Sequence, residues 1–376
     1  MRSSNNSTRS RTAILLTAML AIVVAATSAQ TVFGDKSDND VPVPKPNEPA
    51  DKSFVEKETL SVAPGGLLTV EADRGRVEVT TSDLDTVTVE VTRTVSGKYL
   101  HEADEILKYH QAEITQDGAN AIVRARMKPL EAESVKVKGL NFDIKEDVQN
   151  AMKQAINRRL RNVHFRISIP RQYNVDLKTG GGSVSVADLT GKARCRTSGG
   201  SVKLGRIEGD VWAKTSGGSI TAGDISGSAV AHTSGGSIRI GHVLGTVSAK
   251  TAGGSINVAS AGGTVEATTA GGSVYATIAK QPKGESLFTT CGGSVHIKLA
   301  RTLALDIEAS GQNGRVSAPF IERRKDKNKA SVQRVRLNGG GPKLVARTTS
   351  GNVRFDYIDD SKSSPDRASL TKNKSK

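Results

Sequence analysis

Between residues 183 and 299 the chain repeats one alternation of apolar and polar positions. A small residue, a Gly-Gly pair and a Ser precede an aliphatic, a polar residue and a second aliphatic. The first aliphatic is Val184, Val202, Ile220, Ile238, Ile256, Val274 and Val295. The second is Val186, Leu204, Ala222, Ile240, Val258, Ala276 and Ile297. Ser185, Lys203, Thr221, Arg239, Asn257, Tyr275 and His296 stand between them. A period of two predicts a strand with one buried face. A second strand is predicted after Gly191, Gly209, Gly227, Gly245 and Gly263. Its inward positions are Ala193, Val211, Ala229, Val247 and Val265, then Cys195, Ala213, Ala231, Ala249 and Ala267.

The motif serines Ser183, Ser201, Ser219, Ser237, Ser255 and Ser273 recur at every eighteenth position. The next copy ends at Ser294, three positions later than that interval allows, with the insertion near Gln281-Pro282-Lys283-Gly284. An echo, Thr349-Ser350-Gly351-Asn352-Val353, follows an interruption. A unit of two short strands and two Gly-marked bends cannot close its own core, so the units must stack. The predicted fold is all-β: a single-stranded β-helix, or solenoid, with rungs about 4.8 Å apart. The bend glycines are expected to supply positive φ. A column of Thr179, Thr197, Thr215, Thr233, Thr251, Thr269 and Thr290 is expected to form a structural hydroxyl ladder. A left-handed hexapeptide helix does not fit, because Ile207, Ala213 and Ser219 break its six-residue aliphatic period. A calcium-binding nonapeptide roll does not fit either, since no Asp follows the Gly-Gly pairs.

The flanks carry other patterns. Residues 53–170 read as an N-terminal β region with helices near 99–111 and 146–161. In the first helix Leu100, Ala103 and Leu107 share a face; in the second, Val148, Met152, Ile156 and Leu160 do. Strands near 112–116 and 121–127 hinge at Asp117-Gly118, and Val163 to Pro170 leads into the first rung. Residues 171–300 are the regular solenoid, 301–357 irregular C-terminal rungs or a cap with an exposed loop at 322–330, and 358–376 a disordered basic tail.

The first residues change the setting. Arg2, Arg9 and Arg11 precede an apolar run from Ala13 to Ala26, and Thr27-Ser28-Ala29 supplies small residues for cleavage. Residues 1–29 are therefore expected to be a secretory signal peptide, or an uncleaved anchor that leaves the same domain outside. The run is shorter than a bilayer-spanning helix, so no membrane span is expected once it is cleaved. Residues 30–52 read as a polar, Pro-containing linker. The expected location is the periplasm, the cell surface or the medium.

Composition narrows the class further. The counts of Gly 38, Pro 11 and Cys 2 exclude a collagen-like or disulfide-stapled chain. Aromatic side chains make up only 3% of the sequence, so the core is built of aliphatics. The net charge is +15, and its excess is C-terminal: −2 over residues 30–173, +5 over 174–300 and +9 over 301–376. In an exported chain this basic surplus points away from nucleic acid and toward anionic envelope polymers or another surface protein.

At this point the chain resembles a known family. The run TVEADRGRVEVTTSDLDTVTVEV, then HFRISIPRQYNVDLKTGGGSVSV and the stacked Gly-Gly-Ser copies, is similar to the bacterial putative-adhesin domains of unknown function. Those β-solenoids are similar in turn to auto-transporter adhesin heads. The resemblance spans about residues 55–357, with 131–161 as an insertion. It implies a β-helix in an envelope setting and supplies no catalytic motif.

No enzyme is expected. The many Ser and Thr occupy repeat columns without a His-Asp constellation, and His164, His242 and His296 are scattered. No cofactor or metal motif is present. The competing enzymatic reading is a β-helix lyase or hydrolase acting on polysaccharide. It would use Asp188 and Asp224, which share a column two rungs apart at about 9.6 Å, with Asp210 on another column. Scattered solubilising charge explains these carboxylates as well. A third reading is an envelope stress or sensing protein.

The pattern richest in binding content is the column before the Thr: Lys178, Arg196, Lys214, His232 and Lys250, with Arg194 and Trp212 beside it. Five rungs would line up cationic or titratable groups that a polyanion could bridge, against the alternative of a merely solubilising face. Cys195 and Cys291 fall about five rungs apart, too far for a disulfide.

Overall fold

The computed structural model describes residues 49–127, 154–156, 158–321 and 331–358. The expected signal segment, most of the linker, the start of the second helix, the basic loop and the tail past residue 358 lie outside the described residues. The chain groups into two compact units. Of the described residues, the smaller comprises 49–52, 95–106, 154–156 and 158–161; the larger comprises 53–94, 107–127, 162–321 and 331–358.

Parallel strands stack in the order and register that the columns predict. Among the described residues two thirteen-stranded sheets run through the stack, here sheet I and sheet II. In sheet I, Val184–Val186, Val202–Leu204, Ile220–Ala222 and Ile238–Val243 are successive parallel neighbours. In sheet II, Asn174–Thr179, Ala193–Thr197, Val211–Lys214, Ala229–His232 and Val247–Thr251 are. Each cross-rung pair joins equivalent positions of adjacent repeats, as in Val202↔Ile220 and Cys195↔Ala213. The three-residue insertion is absorbed outside the ladder, so Glu266 pairs with Leu287. All the predicted inward positions are buried, and many are Ala, which keeps the two sheets close together.

The rung has a third side that a two-strand unit omits. Leu189–Thr190 pairs with Ile207–Glu208, and single bridges join Ile207 to Ile225 and Ile225 to Val243. One buried aliphatic per rung marks this side. Two paired residues are too few to show a period of two.

The bends work differently from the sequence expectation. Within the repeat, positive φ occurs at Gly182 and Gly191 but not at the later Gly-Gly pairs. The second Gly of each later pair is demanded by stacking instead. A Cβ on Gly200, Gly218, Gly236, Gly254 or Gly272 would run into the carbonyl oxygen of the equivalent Gly one rung back. The Thr column is buried, and its hydroxyls bond backbone rather than one another. Thr233 Oγ1 donates to the Gly218 carbonyl at 2.7 Å and accepts from the Gly236 amide at 3.4 Å. The same pair of bonds recurs at Thr197, Thr215, Thr251 and Thr269. Thr233→Val keeps the shape and leaves a part-buried carbonyl without this partner. It should cost about 1–3 kcal/mol in a urea titration. An unchanged midpoint would show that these bonds are dispensable.

Both ends of the repeat are filled by chain that is distant in sequence. Arg76–Ser82 pairs in parallel with Val184–Val186, and Leu67–Ala72 with Asn174–Thr179. Residues 67–82 therefore form the rung before the first repeat. At the other end Lys343–Thr348 pairs with Ser286–Thr290, and Val353–Tyr357 with Val295–Leu299. The echo motif is thus the next rung, with Leu305–Gly311 outside it. Each outer strand of sheet II is antiparallel: His110–Asp117 on Asn120–Met127, and Ser331–Leu337 on Leu305–Gly311. Such strands interrupt the parallel progression at an exposed edge.

The helical flank is shorter than its pattern. A 3-10 turn at Gly97–Glu102 precedes an α-helix at Ala103–Tyr109, whose buried residues are Ala103 and Ile106. The second helix has ended by Leu160, where the strand Leu160–Pro170 begins.

Candidate functional site

Strand alternation sets the outward residues of sheet II, and parallel register sets their order. Arg196 lies opposite Lys178 and Lys214, Lys214 opposite His232, and His232 opposite Lys250. The five residues read from the sequence therefore do form one line. Thr268 and Thr289 continue it without charge.

The five are not equivalent. Lys250 Nζ lies 2.6 Å from Glu266 Oε1, which holds that carboxyl below its usual range. His232 is half-buried, and its Nε2 is buried without a hydrogen-bond partner. Burial, then the neighbouring Lys250 and Lys214, lower its pKa and so favour the neutral ring. Lys178, Arg196 and Lys214 are exposed and make no ion pair among the described residues. In the next outward column the Arg194 guanidinium lies 4.8 Å from the centre of the Trp212 ring, a cation–π contact between adjacent rungs. Of the line of five, Lys178, Arg196 and Lys214 remain available, and with Arg194 from the next column they make a block of four cations on three rungs.

The carboxylates of the enzymatic reading have backbone duties. Asp188 Oδ1 accepts from the Arg206 amide at 2.7 Å, and Asp224 Oδ1 from the His242 amide at 3.0 Å. Asp210 Oδ1 accepts from the Ser228 amide at 3.0 Å, which with Lys192 lowers its pKa. Each closes a corner onto the following rung. His164 Nε2 meets Glu78 at 3.1 Å, across neighbouring strands of sheet I. Cys195 is buried and free, its thiol pushed well up by burial; Cys291 is free at an exposed bend. Among the described residues no group of His, Cys, Asp or Glu is placed to hold a metal ion, and no helix is long and apolar enough to cross a membrane.

One contact here was not legible in the sequence. His296 is not isolated, because Asp356 reaches it from a distant part of the chain, with Oδ2 at 2.6 Å from Nε2. Arg354 grips the same carboxylate at 2.8 and 3.1 Å. The echo motif held part of the signal. Aligning Val353 with Val295 puts Arg354 in the His296 column, as the register shows.

The Toastrack DUF4097 family profile matches residues 67–356. No curated protein matches the chain. Among solved structures, a putative adhesin from Bacteroides fragilis is 12% identical, with 81% of this chain and 97% of that one covered and a TM-score of 0.30. A putative adhesin from Parabacteroides merdae is 10% identical, covering 81% and 96%, with a TM-score of 0.30. A putative lipid binding protein from Parabacteroides distasonis is 13% identical, covering 81% and 97%, with a TM-score of 0.29.

Proposed function

This chain belongs to the Toastrack DUF4097 family, and from that premise we propose that it is an exported, non-enzymatic binding module of the cell envelope whose ligand is an anionic polymer. The contact face is the outward side of sheet II. The observation that carries this reading is the block of Lys178, Arg194, Arg196 and Lys214 on consecutive rungs, four cations that make no ion pair among the described residues, with Glu71 opposite Lys178 and Asp176 opposite Arg194 at its edge. Like charges about 5 Å apart repel by roughly 1 kcal/mol in water, and a polyanion laid across the rungs relieves that repulsion. The stack cannot flex to spread the charges, because each rung is hydrogen-bonded to both neighbours. The ligand would therefore meet a preformed row of cations. A binding role also agrees with the carboxylates, since Asp188, Asp210 and Asp224 are engaged in corner bonds rather than grouped as acids and bases.

Lys178, Arg196 and Lys214 changed together to Ser test the reading against teichoic-acid-type polymer, lipopolysaccharide and a sulfated polysaccharide. Wild-type binding should fall steeply between low and high salt. The triple variant should lose about tenfold or more at low salt. Equal binding by the variant, or binding insensitive to salt, would remove the block as the site. Lys250→Ser should have the smaller effect, since Glu266 already neutralises that lysine.

A further inference from the structure

A second outward line, on sheet I, has a different chemistry. Register places Arg239, Asn257, Tyr275, His296 and Arg354 opposite one another on five successive strands. At about 4.8 Å per rung the line is roughly 19 Å long. The first four are the polar positions of the Gly-Gly-Ser motif, and the fifth is supplied by the echo rung that the chain returns to complete.

Tyr275 is the centre of the line. It is 45% exposed and is the one aromatic among the large apolar side chains that the described residues leave exposed. In a chain that is only 3% aromatic, an exposed ring at the middle of a rigid sheet is an expensive use of one. His296 meets it edge-on, with centroids 6.2 Å apart and planes at 66°, so the ring is not sandwiched by a stacked neighbour. On the next rungs the polar groups are fixed in place. Asp356 accepts from the Arg354 guanidinium through both oxygens and bonds His296 at 2.6 Å. Arg239 and Asn257 are exposed on the other side of the ring.

An aromatic plane beside held, planar hydrogen-bonding groups suits a ligand with alternating apolar faces and hydroxyl edges. A linear glycan has that alternation, and a straight line of rungs accepts a straight chain. A protein partner fits less well. Stable protein interfaces need an apolar centre of several anchors, and Tyr275 is the sole exposed large apolar residue in this column. A polyanion fits less well too, because Asp356, in the adjacent outward column opposite Lys298, engages both His296 and Arg354 of the line.

We propose that this line, centred on Tyr275, is a binding site for a linear, uncharged glycan, separate from the cationic block on sheet II. The full protein should be assayed against cello-, manno- and chito-oligosaccharides by calorimetry and by NMR of the ligand. At least one should bind, with little dependence on salt. Tyr275→Ala should weaken it about tenfold or more, while Tyr275→Phe should stay within about threefold, since the ring face is kept. The outward position makes either variant safe for folding, which circular dichroism checks. Asp356→Asn should weaken binding to an intermediate degree by loosening Arg354 and His296. The sheet II triple variant should bind the oligosaccharide as the wild type does. Absence of binding to all three oligosaccharide classes, or full binding by Tyr275→Ala, would overturn the proposal. Parallel loss in the triple variant would overturn the separateness of the two sites.

Discussion

Gly236→Ala is expected to destabilise the stack by about 3 kcal/mol or more, whereas Gly199→Ala at the first position of another pair should change little. Both are bend glycines of the same motif, and neither has positive φ. They differ in what lies behind them. A Cβ on Gly236 would collide with the carbonyl of Gly218, and that carbonyl cannot retreat. It already accepts the Thr233 hydroxyl at 2.7 Å. Gly218 itself is packed just as closely on Gly200, so the strain has nowhere to relax. A Cβ on Gly199 meets no atom within 4 Å. Urea titrations of the two variants make the comparison, and hydrogen exchange at the flanking rungs should show the loss centred on Gly236. Equal losses would mean that the second glycine serves backbone conformation rather than contact between rungs.

Acid should weaken the fold through His110. This residue opens the strand His110–Asp117 and is fully buried, and among the described residues neither ring nitrogen has a well-formed hydrogen bond to another residue. Burial, then the nearby Arg93 and Arg74, lower its pKa to about 4 against opposing pulls from its own backbone and from Asp73. In the unfolded chain the ordinary value is about 6.5. Between those two values the unfolded state holds a proton that the folded state refuses, so unfolding takes up protons. The contribution is complete above pH 6.5 and is lost as the pH falls toward 4. The full span amounts to roughly 3 kcal/mol. Below pH 4 both states are protonated and this group adds no further slope. His110→Leu should flatten the pH dependence of the denaturation midpoint across that window by a corresponding amount. It should leave the steeper carboxylate-driven loss at lower pH in place. Parallel wild-type and variant curves from pH 6.5 to 4 would show that His110 is not the group responsible.

Much of this architecture is legible without coordinates, and the reason is physical. A parallel stack repeats one environment in every rung, so each position sees its own copies above and below. Selection of the same residue type then writes the cross-section into columns, as in the Val184 and Thr179 columns. The cationic line was readable for the same reason, since register in a regular ladder is fixed by counting. What the columns did not give was the state of each charge. Lys250 is neutralised by Glu266 from a neighbouring column one rung on, and burial between two lysines favours the neutral ring of His232. Neither effect follows from a residue's own column.

The limits of the pattern appear where the chain leaves the repeat. The third side of the rung rests on one aliphatic and two paired residues, below the length at which periodicity speaks. The Tyr275 line was half visible, as a list of polar positions. Its closing group, Arg354 with Asp356, depends on the chain stepping outward and then returning to fill a rung. That path is a choice among non-local pairings, and no local spacing encodes it.

By itself, then, the sequence determined the repeat length, the inward and outward faces, the stacking register and the row of basic residues. These follow from periodic alternation and from a rung too small to stand alone. Tertiary structure alone decided which glycines are irreplaceable, which cations remain free, and which strands of the flanks, residues 67–82 and 343–357, stack directly on the two ends of the repeat. Those outcomes depend on contacts between segments distant in sequence, where close approach, burial and the charge of a neighbour set the energy.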